Sequence, residues 1–207
     1  VFNMVQTIGN TIEYCNRIII KEEGTEKVQR YFHLIEKQLQ RGKELINNIK
    51  NLSEMEKSEM SLKKVNVMET LNAAVQFVKV NFHEKNINLT ITPIKEPLYV
   101  IANELLMDVF ENLLINSVKY NQNDPIEIWI TIEEILSNGM EYVKLEFEDN
   151  GMGIEDARKS IIFQENGVQA KNSNGMGLGL SLVAKLIKLC NGKITVKNRI
   201  REDYSQG

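Results

Sequence analysis

The apolar residues of this chain keep two different rhythms, and the change between them near residue 60 constrains the fold more than any other feature. Before it, Phe2, Val5, Ile8, Ile12, Cys15 and Ile19 recur at helical steps of three or four. Glycine and charge in Lys21-Glu22-Glu23-Gly24-Thr25 break that run. A second run, Ile35, Leu39, Gly42, Ile46 and Ile49, approximates a repeat of about 3.5 residues, with Leu45 and Leu52 broadening the stripe. Two such helices joined by a short turn form an antiparallel hairpin, which alone leaves much of its apolar face wet. A second copy is the economical cover, so residues 1–60 are expected to form a homodimer with a four-helix bundle. Packing of the hairpin on the rest of its own chain is the alternative.

After the polar stretch Ser53-Glu54-Met55-Glu56-Lys57-Ser58 the texture changes. A helical pattern from Val67 to Phe82 precedes an alternating segment, Ile87 to Thr92, that reads as a strand. Pro93 and Pro97 punctuate the loop before a short strand over Leu98 to Ile101, and a helix is expected from Glu104 to Tyr120. Ile126 to Ile132 is apolar at even positions and Val143 to Phe147 at odd ones, with a hairpin turn at Ser137-Asn138-Gly139. A helix from Leu180 to Leu189 and a strand over Lys193 to Val196 follow. The order predicts an α+β fold over 61–207, with helices layered on one face of a mixed sheet.

Composition narrows the function classes. With 25 Lys plus Arg against 28 Asp plus Glu, the net charge is −3, which supplies no basic face for nucleic acid. No apolar run is long enough to span a membrane, and the start carries no signal-peptide pattern, so a cytoplasmic setting without membrane contact is expected for this segment, with a membrane anchor elsewhere in the whole protein left open. Cys15 and Cys190 lie far apart without CxxC partners and read as reduced thiols. His33 and His83 are too few for a histidine-rich metal site.

Three segments carry candidate chemistry. On the helix ending at Tyr120, Asn112, Asn116 and Lys119 fall at offsets of zero, four and seven, on one stripe. A carboxamide oxygen is a hard ligand suited to Mg²⁺, and a lysine above it can meet phosphate; alone, such a stripe is also an ordinary solvated face. Next, Glu148-Asp149-Asn150-Gly151-Met152-Gly153-Ile154 follows a strand. Its glycines allow close backbone approach and its carboxylate accepts from an exocyclic amine such as that of adenine, although an isolated DxGxG is equally a strand-ending turn. Third, Gly175-Met176-Gly177-Leu178-Gly179-Leu180 opens a helix, whose unpaired N–H groups and dipole favour anions. It fits neither a dinucleotide fingerprint, lacking a preceding strand, nor a P-loop.

Order and spacing join these signals. Asn112 to Tyr120, then Asp149-x-Gly151-x-Gly153, then Phe163, then Gly175-x-Gly177-Leu178-Gly179-Leu180 resembles the N, G1, F and G2 boxes of sensor histidine kinases. The resemblance covers most of 61–207, and the hairpin before it is similar to that family's dimerisation and phosphotransfer domain. It implies a Bergerat-type ATP-binding α/β sandwich. In that fold Asp149 would hold the adenine amino group, with Gly151, Gly153 and Ile154 beside it. Asn116 would bind Mg²⁺ with support from Asn112, while Lys119 would face phosphate and Tyr120 the adenine. Residues 164–174 would be a mobile lid over the nucleotide. Lys171 within it is either a γ-phosphate contact or a solvated lysine, and Phe163 either borders the site or anchors the lid in the core. A response regulator is the implied partner.

Related ATPases of the gyrase and chaperone types resemble one another in an ExxxN pattern whose glutamate activates water. Here the equivalent position is Asn112, which is no base, and Glu111 lies about 100° around the helix. Transfer to a protein acceptor is therefore favoured over hydrolysis. No histidine occupies the first helix of the hairpin; His33 reads as a surface residue and His83-Glu84 as a decoy of the acceptor dipeptide. Some family members carry His-Asp-x-x-Asn, and His-Asp placed before Val1 would make Asn3 its closing residue, so the acceptor is expected two residues upstream. The strand that resembles Gly-Thr-x-Phe in the family is expected beyond Gly207. Asn103 departs from the family's aspartate before the N box. A degenerate nucleotide-binding scaffold, a gyrase-like ATPase and a serine-directed kinase are the rival readings.

Overall fold

In the computed structural model, the residues described are 12, 32, 35, 42, 62–94, 97–164, 178–200 and 203. The chain divides into two compact units, Val1–Lys57 with Asn174–Met176, and Ser58–Ser173 with Gly177–Gly207. Ile12, Phe32, Ile35 and Gly42 of the first unit are helical. The hairpin expected over 1–60, and the dimer it would build, otherwise lie outside the described residues.

The second unit has the α+β order anticipated. Strand β1 (Lys63–Asn66) leads directly into helix α1 (Val67–Asn81), followed by β2 (Ile87–Ile91) and β3 (Tyr99–Ala102). Helix α2 (Leu106–Lys119) precedes the long hairpin of β4 (Ile126–Ser137) and β5 (Met140–Asp149). A one-turn α3 (Asp156–Lys159) and helix α4 (Leu178–Leu189) complete the set. β2 runs parallel to β4 and β4 antiparallel to β5, a mixed three-stranded sheet, while β1 and β3 form a separate antiparallel pair.

Alternation along β4 decides which face of the sheet is covered. Ile126, Ile128, Ile130 and Ile132 are at most 5% exposed, whereas the intervening Glu127, Trp129 and Thr131 are half-buried. Helix α2 packs against α1, α4 and β5, and its Val109, Phe110, Leu114 and Val118 are buried. Phe110 meets Phe147 of β5 with ring centroids 5.9 Å apart. Ile128 faces the same side as Asp149, its register partner, so β5 delivers that carboxylate to the helix-covered side at the end of the sheet.

Local chemistry sets the ends of the elements. Asn66 caps α1, its Oδ1 accepting from the N–H groups of Met68 at 3.0 Å and Glu69 at 3.3 Å. Asn138 and Gly139 both have positive φ, 52° and 76°, the turn demanded by a two-residue hairpin. Helix α4 closes in a Schellman arrangement with Asn191 at φ 54°: Gly192 N–H bonds the Ile187 carbonyl at 2.8 Å and Asn191 N–H that of Lys188 at 3.0 Å.

Three expectations shift. The helix ending near Tyr120 starts at Leu106 rather than Glu104, because the Asn103 side chain takes the Leu105 N–H at 3.1 Å and holds a turn there. The hairpin strands extend beyond Ile132 and start before Val143, through exposed residues whose side chains report no inner face. Lys193–Val196 is not a strand: no described strand pairs with it. Side chains instead tie down the stretch just after it. Lys159 Nζ donates to Asn198 Oδ1, and the Arg199 guanidinium lies 5.4 Å from the Trp129 ring centroid.

Candidate functional site

Helix α2 is the meeting point of the candidate segments. Asn112 Nδ2 donates to the Asp108 carbonyl one turn back at 2.8 Å, which fixes the orientation of its Oδ1. A Cβ added to Gly179 would fall 2.6 Å from that oxygen. The first turn of α4 therefore lies against the Asn112 carboxamide, and one of the three alternating glycines has a packing reason to be glycine. Asn116, half-buried a turn further on, accepts the Tyr120 N–H at its main-chain carbonyl, 3.0 Å away. Lys119 and Tyr120 are exposed at the C-terminal end of the helix.

The segment after β5 folds onto that same end. Gly151 N–H donates to Asp149 Oδ1 at 2.8 Å, and Met152 N–H donates to the Tyr120 carbonyl at 3.3 Å. Gly151 is buried, and a Cβ there would lie 2.7 Å from Asp149 Oδ1 and 3.1 Å from the Tyr120 carbonyl oxygen. Gly153 has φ 65°, where a side chain is strained. The glycines let the turn close tightly on the Asp149 carboxylate and on the end of α2. One carboxylate oxygen serves the turn, and the other keeps its capacity to accept from a ligand amine.

Ile154 and Phe163 are half-buried, and Ile162, next to Phe163, is 4% exposed. Gly179 and Leu180 are half-buried in the first turn of α4. Lys171, Gly175, Gly177, the lid after Gln164 and the Leu178 side chain lie outside the described residues. Asn103, where the family resemblance expects aspartate, is 6% exposed and accepts the turn N–H as an aspartate would. Cys190 is a free thiol that burial pushes up in pKa. Sequence reasoning missed three carboxamides, Asn121, Asn123 and Asn150, which bond one another behind Asp149. Asn121 and Asn123 showed only a turn-like composition before Pro125, and Asn150 only its place between Asp149 and Gly151.

Among the described residues no group of three or more His, Cys, Asp or Glu side chains could hold a metal. A hard cation here would depend on the half-buried Asn116 carboxamide and on its own ligand's oxygens, a donor set that suits Mg²⁺ and not zinc.

Glu111, beside Asn112, is half-buried; desolvation, then the Asp108 charge, raises its pKa from 4.5 to about 7. Between those values the folded state holds a proton that the unfolded chain has released. The stability from this group is complete below pH 4.5 and is lost as pH rises to about 7. Glu111→Gln is therefore expected to melt above the parent at pH 8 and level with it at pH 4, by thermal denaturation.

The model of the family described as histidine kinase-, DNA gyrase B-, and HSP90-like ATPase matches residues 102–207. Sensor histidine kinase Hik2 of Synechocystis is 42% identical over 118 residues, covering 55% of this chain and 27% of that protein. Signal transduction histidine-protein kinase BarA of Escherichia coli is 26% identical over 187 residues, 86% of this chain and 20% of that protein. The chain thus spans about a quarter or less of the length of these curated relatives. Among solved structures, the catalytic domain of histidine kinase ThkA superposes with a TM-score of 0.58 at 26% identity, over 68% of this chain and 90% of that one. Histidine kinase ThkA in complex with response regulator TrrA matches with a TM-score of 0.65 over 95% of this chain and 56% of that one, at 23% identity, a likeness of fold.

Proposed function

This chain belongs to the family of histidine kinase-, DNA gyrase B- and HSP90-like ATPases, and from that premise we propose that residues 61–207 bind Mg·ATP for phosphoryl transfer to a protein histidine. The observation that carries the reading is the convergence on α2: Gly179 abuts Asn112, and the turn at Asp149 seats on Tyr120. The adenine amine would donate to the other oxygen of Asp149, with Gly151 and Gly153 permitting close approach. Asn116 would hold Mg²⁺, whose charge neutralises the phosphates when bound, and Asn112 would support the same contacts. Lys119, Lys171 and the glycines opening α4 would face the phosphates, with Tyr120, Ile154 and Phe163 around the base.

Asn112 at the position where hydrolases of the family carry a base favours transfer over water attack. In transfer of this kind, positioning and charge stabilisation do most of the work. The acceptor would be a histidine on a dimeric helical hairpin, and the phosphate would pass on to a response regulator, the kind of partner seen with ThkA.

Incubating the whole gene product with γ-labelled ATP tests this. Acid-labile, base-stable label on the protein is the expected result. Steady phosphate release without labelled protein would mark a hydrolase. Acid-stable label would mark a serine kinase, and ATP binding without either would mark a scaffold.

A further inference from the structure

Directly behind Asp149, the end of β5, the start of β4 and the loop joining α2 to β4 are tied together through one side chain. In a regular antiparallel ladder Glu127 and Asn150, the pair next to Ile128 and Asp149, would exchange two main-chain bonds. Only one forms. Asn150 N–H donates to the Glu127 carbonyl at 3.2 Å, whereas Glu127 N–H donates to the side-chain Oδ1 of Asn150 at 2.9 Å. The Asn150 main-chain carbonyl, released from the ladder, accepts from Asn123 Nδ2 instead. Asn150 Nδ2 donates to the Pro125 carbonyl at 3.2 Å. Asn121, 3% exposed, completes the set: its Nδ2 donates to Asn150 Oδ1 at 2.7 Å and its Oδ1 accepts Asn123 N–H at 3.0 Å.

Every polar atom of Asn150 thus has a protein partner. Its carboxamide replaces a main-chain carbonyl at the last rung, so the chain leaves the sheet one residue after Asp149. That exit lets Gly151 turn back onto the Asp149 carboxylate. We propose that Asn150, braced by Asn121, is a positioning residue that fixes the Asp149 carboxylate for the amine of the base and so sets the preference for adenine over guanine. The inference rests on the ATP-binding reading above. Adenine presents an amine donor where guanine presents a carbonyl, so a fixed carboxylate rewards one and repels the other, while a loose one separates them less.

The test compares ATP and GTP titrations, together with amide exchange of the nucleotide-free protein, for the parent, Asn150→Ala and the milder Asn123→Ala. Asn123→Ala removes the bond to the Asn150 carbonyl and keeps the variant set informative if Asn150→Ala does not fold. In Asn150→Ala the ATP affinity is expected to fall about tenfold with GTP unchanged, and exchange at Gly151 to rise about tenfold. Exchange at Leu114, deep in α2, should stay at the parental rate. Asn123→Ala should move the same readouts by about threefold. Unchanged discrimination and unchanged Gly151 exchange would overturn the proposal. So would equal weakening of both nucleotides with faster exchange at Leu114, the signature of a merely structural residue. A parent that binds neither nucleotide would overturn the ATP reading, and Gly151 exchange against Leu114 would still decide whether Asn150 holds the turn.

Discussion

Asp149→Asn is expected to weaken ATP binding by about a hundredfold while leaving the melting temperature within about 2 °C of the parent. The substitution is nearly isosteric and keeps an acceptor for Gly151 N–H, which the aspartate satisfies at 2.8 Å, so the turn survives. With the oxygen committed to Gly151, the new amide points its Nδ2 at the place of the adenine amine, setting donor against donor. A charge-assisted bond disappears and a repulsion takes its place. Calorimetric titration with melting curves checks both halves. Parental affinity in this variant would remove Asp149 from the base site, and a collapse in melting temperature would make the residue structural.

Gly151→Ala is the second large effect, and it works through space rather than charge. The added methyl would sit 2.7 Å from Asp149 Oδ1 and 3.1 Å from the Tyr120 carbonyl oxygen. The first of these clashes pushes the carboxylate off the N–H that holds it. The second presses on the end of α2, where Met152 is also bonded. ATP affinity is expected to fall at least about thirtyfold, with a loss of roughly 1–3 kcal/mol in stability. Gly139→Ala is the matched control. That glycine has φ 76° at the hairpin tip and nothing within 4 Å, so alanine should cost about 1 kcal/mol through backbone strain and leave ATP binding untouched. Equal effects on nucleotide binding from the two substitutions would contradict the site.

How far the sequence foretold this molecule follows from what each segment buries. Helices α1 and α2 and the start of β4 were legible because one face of each meets the core, leaving periods of 3.6 and 2 in the apolar residues. The far half of the hairpin was not, because Glu133–Ser137 is exposed and no alternation marks it. Strand β1 was not, because Lys63-Lys64-Val65-Asn66 becomes a strand only through its distant partner β3. Lys193–Val196 alternates as a strand would, yet a strand needs a neighbour, and pattern cannot supply one.

The site divides in the same way. Asp149, Gly151 and Gly153 stood out only through their order and spacing with the other segments, because an isolated DxGxG is equally a strand-ending turn. Gly179 was read for phosphate, and the structure adds a packing reason against Asn112 that spacing did not contain. Asn121 and Asn123 drew no reading from the sequence, and Asn150 stood only as a spacer between Asp149 and Gly151. A carboxamide's role depends on which main-chain groups the surrounding fold leaves unpaired, and that is a tertiary fact.

The central claim is that adenine lies between the C-terminal end of α2 and the turn after β5. Photolabelling with an azido-adenine analogue of ATP, followed by mass-spectrometric mapping of the modified peptides, tests that placement most directly. Label on residues 112–120 and 149–154, displaced by ATP and absent from Asp149→Asn, is the predicted result. Label concentrated on the outer face of the sheet around Trp129, or label that ATP does not displace, would contradict it.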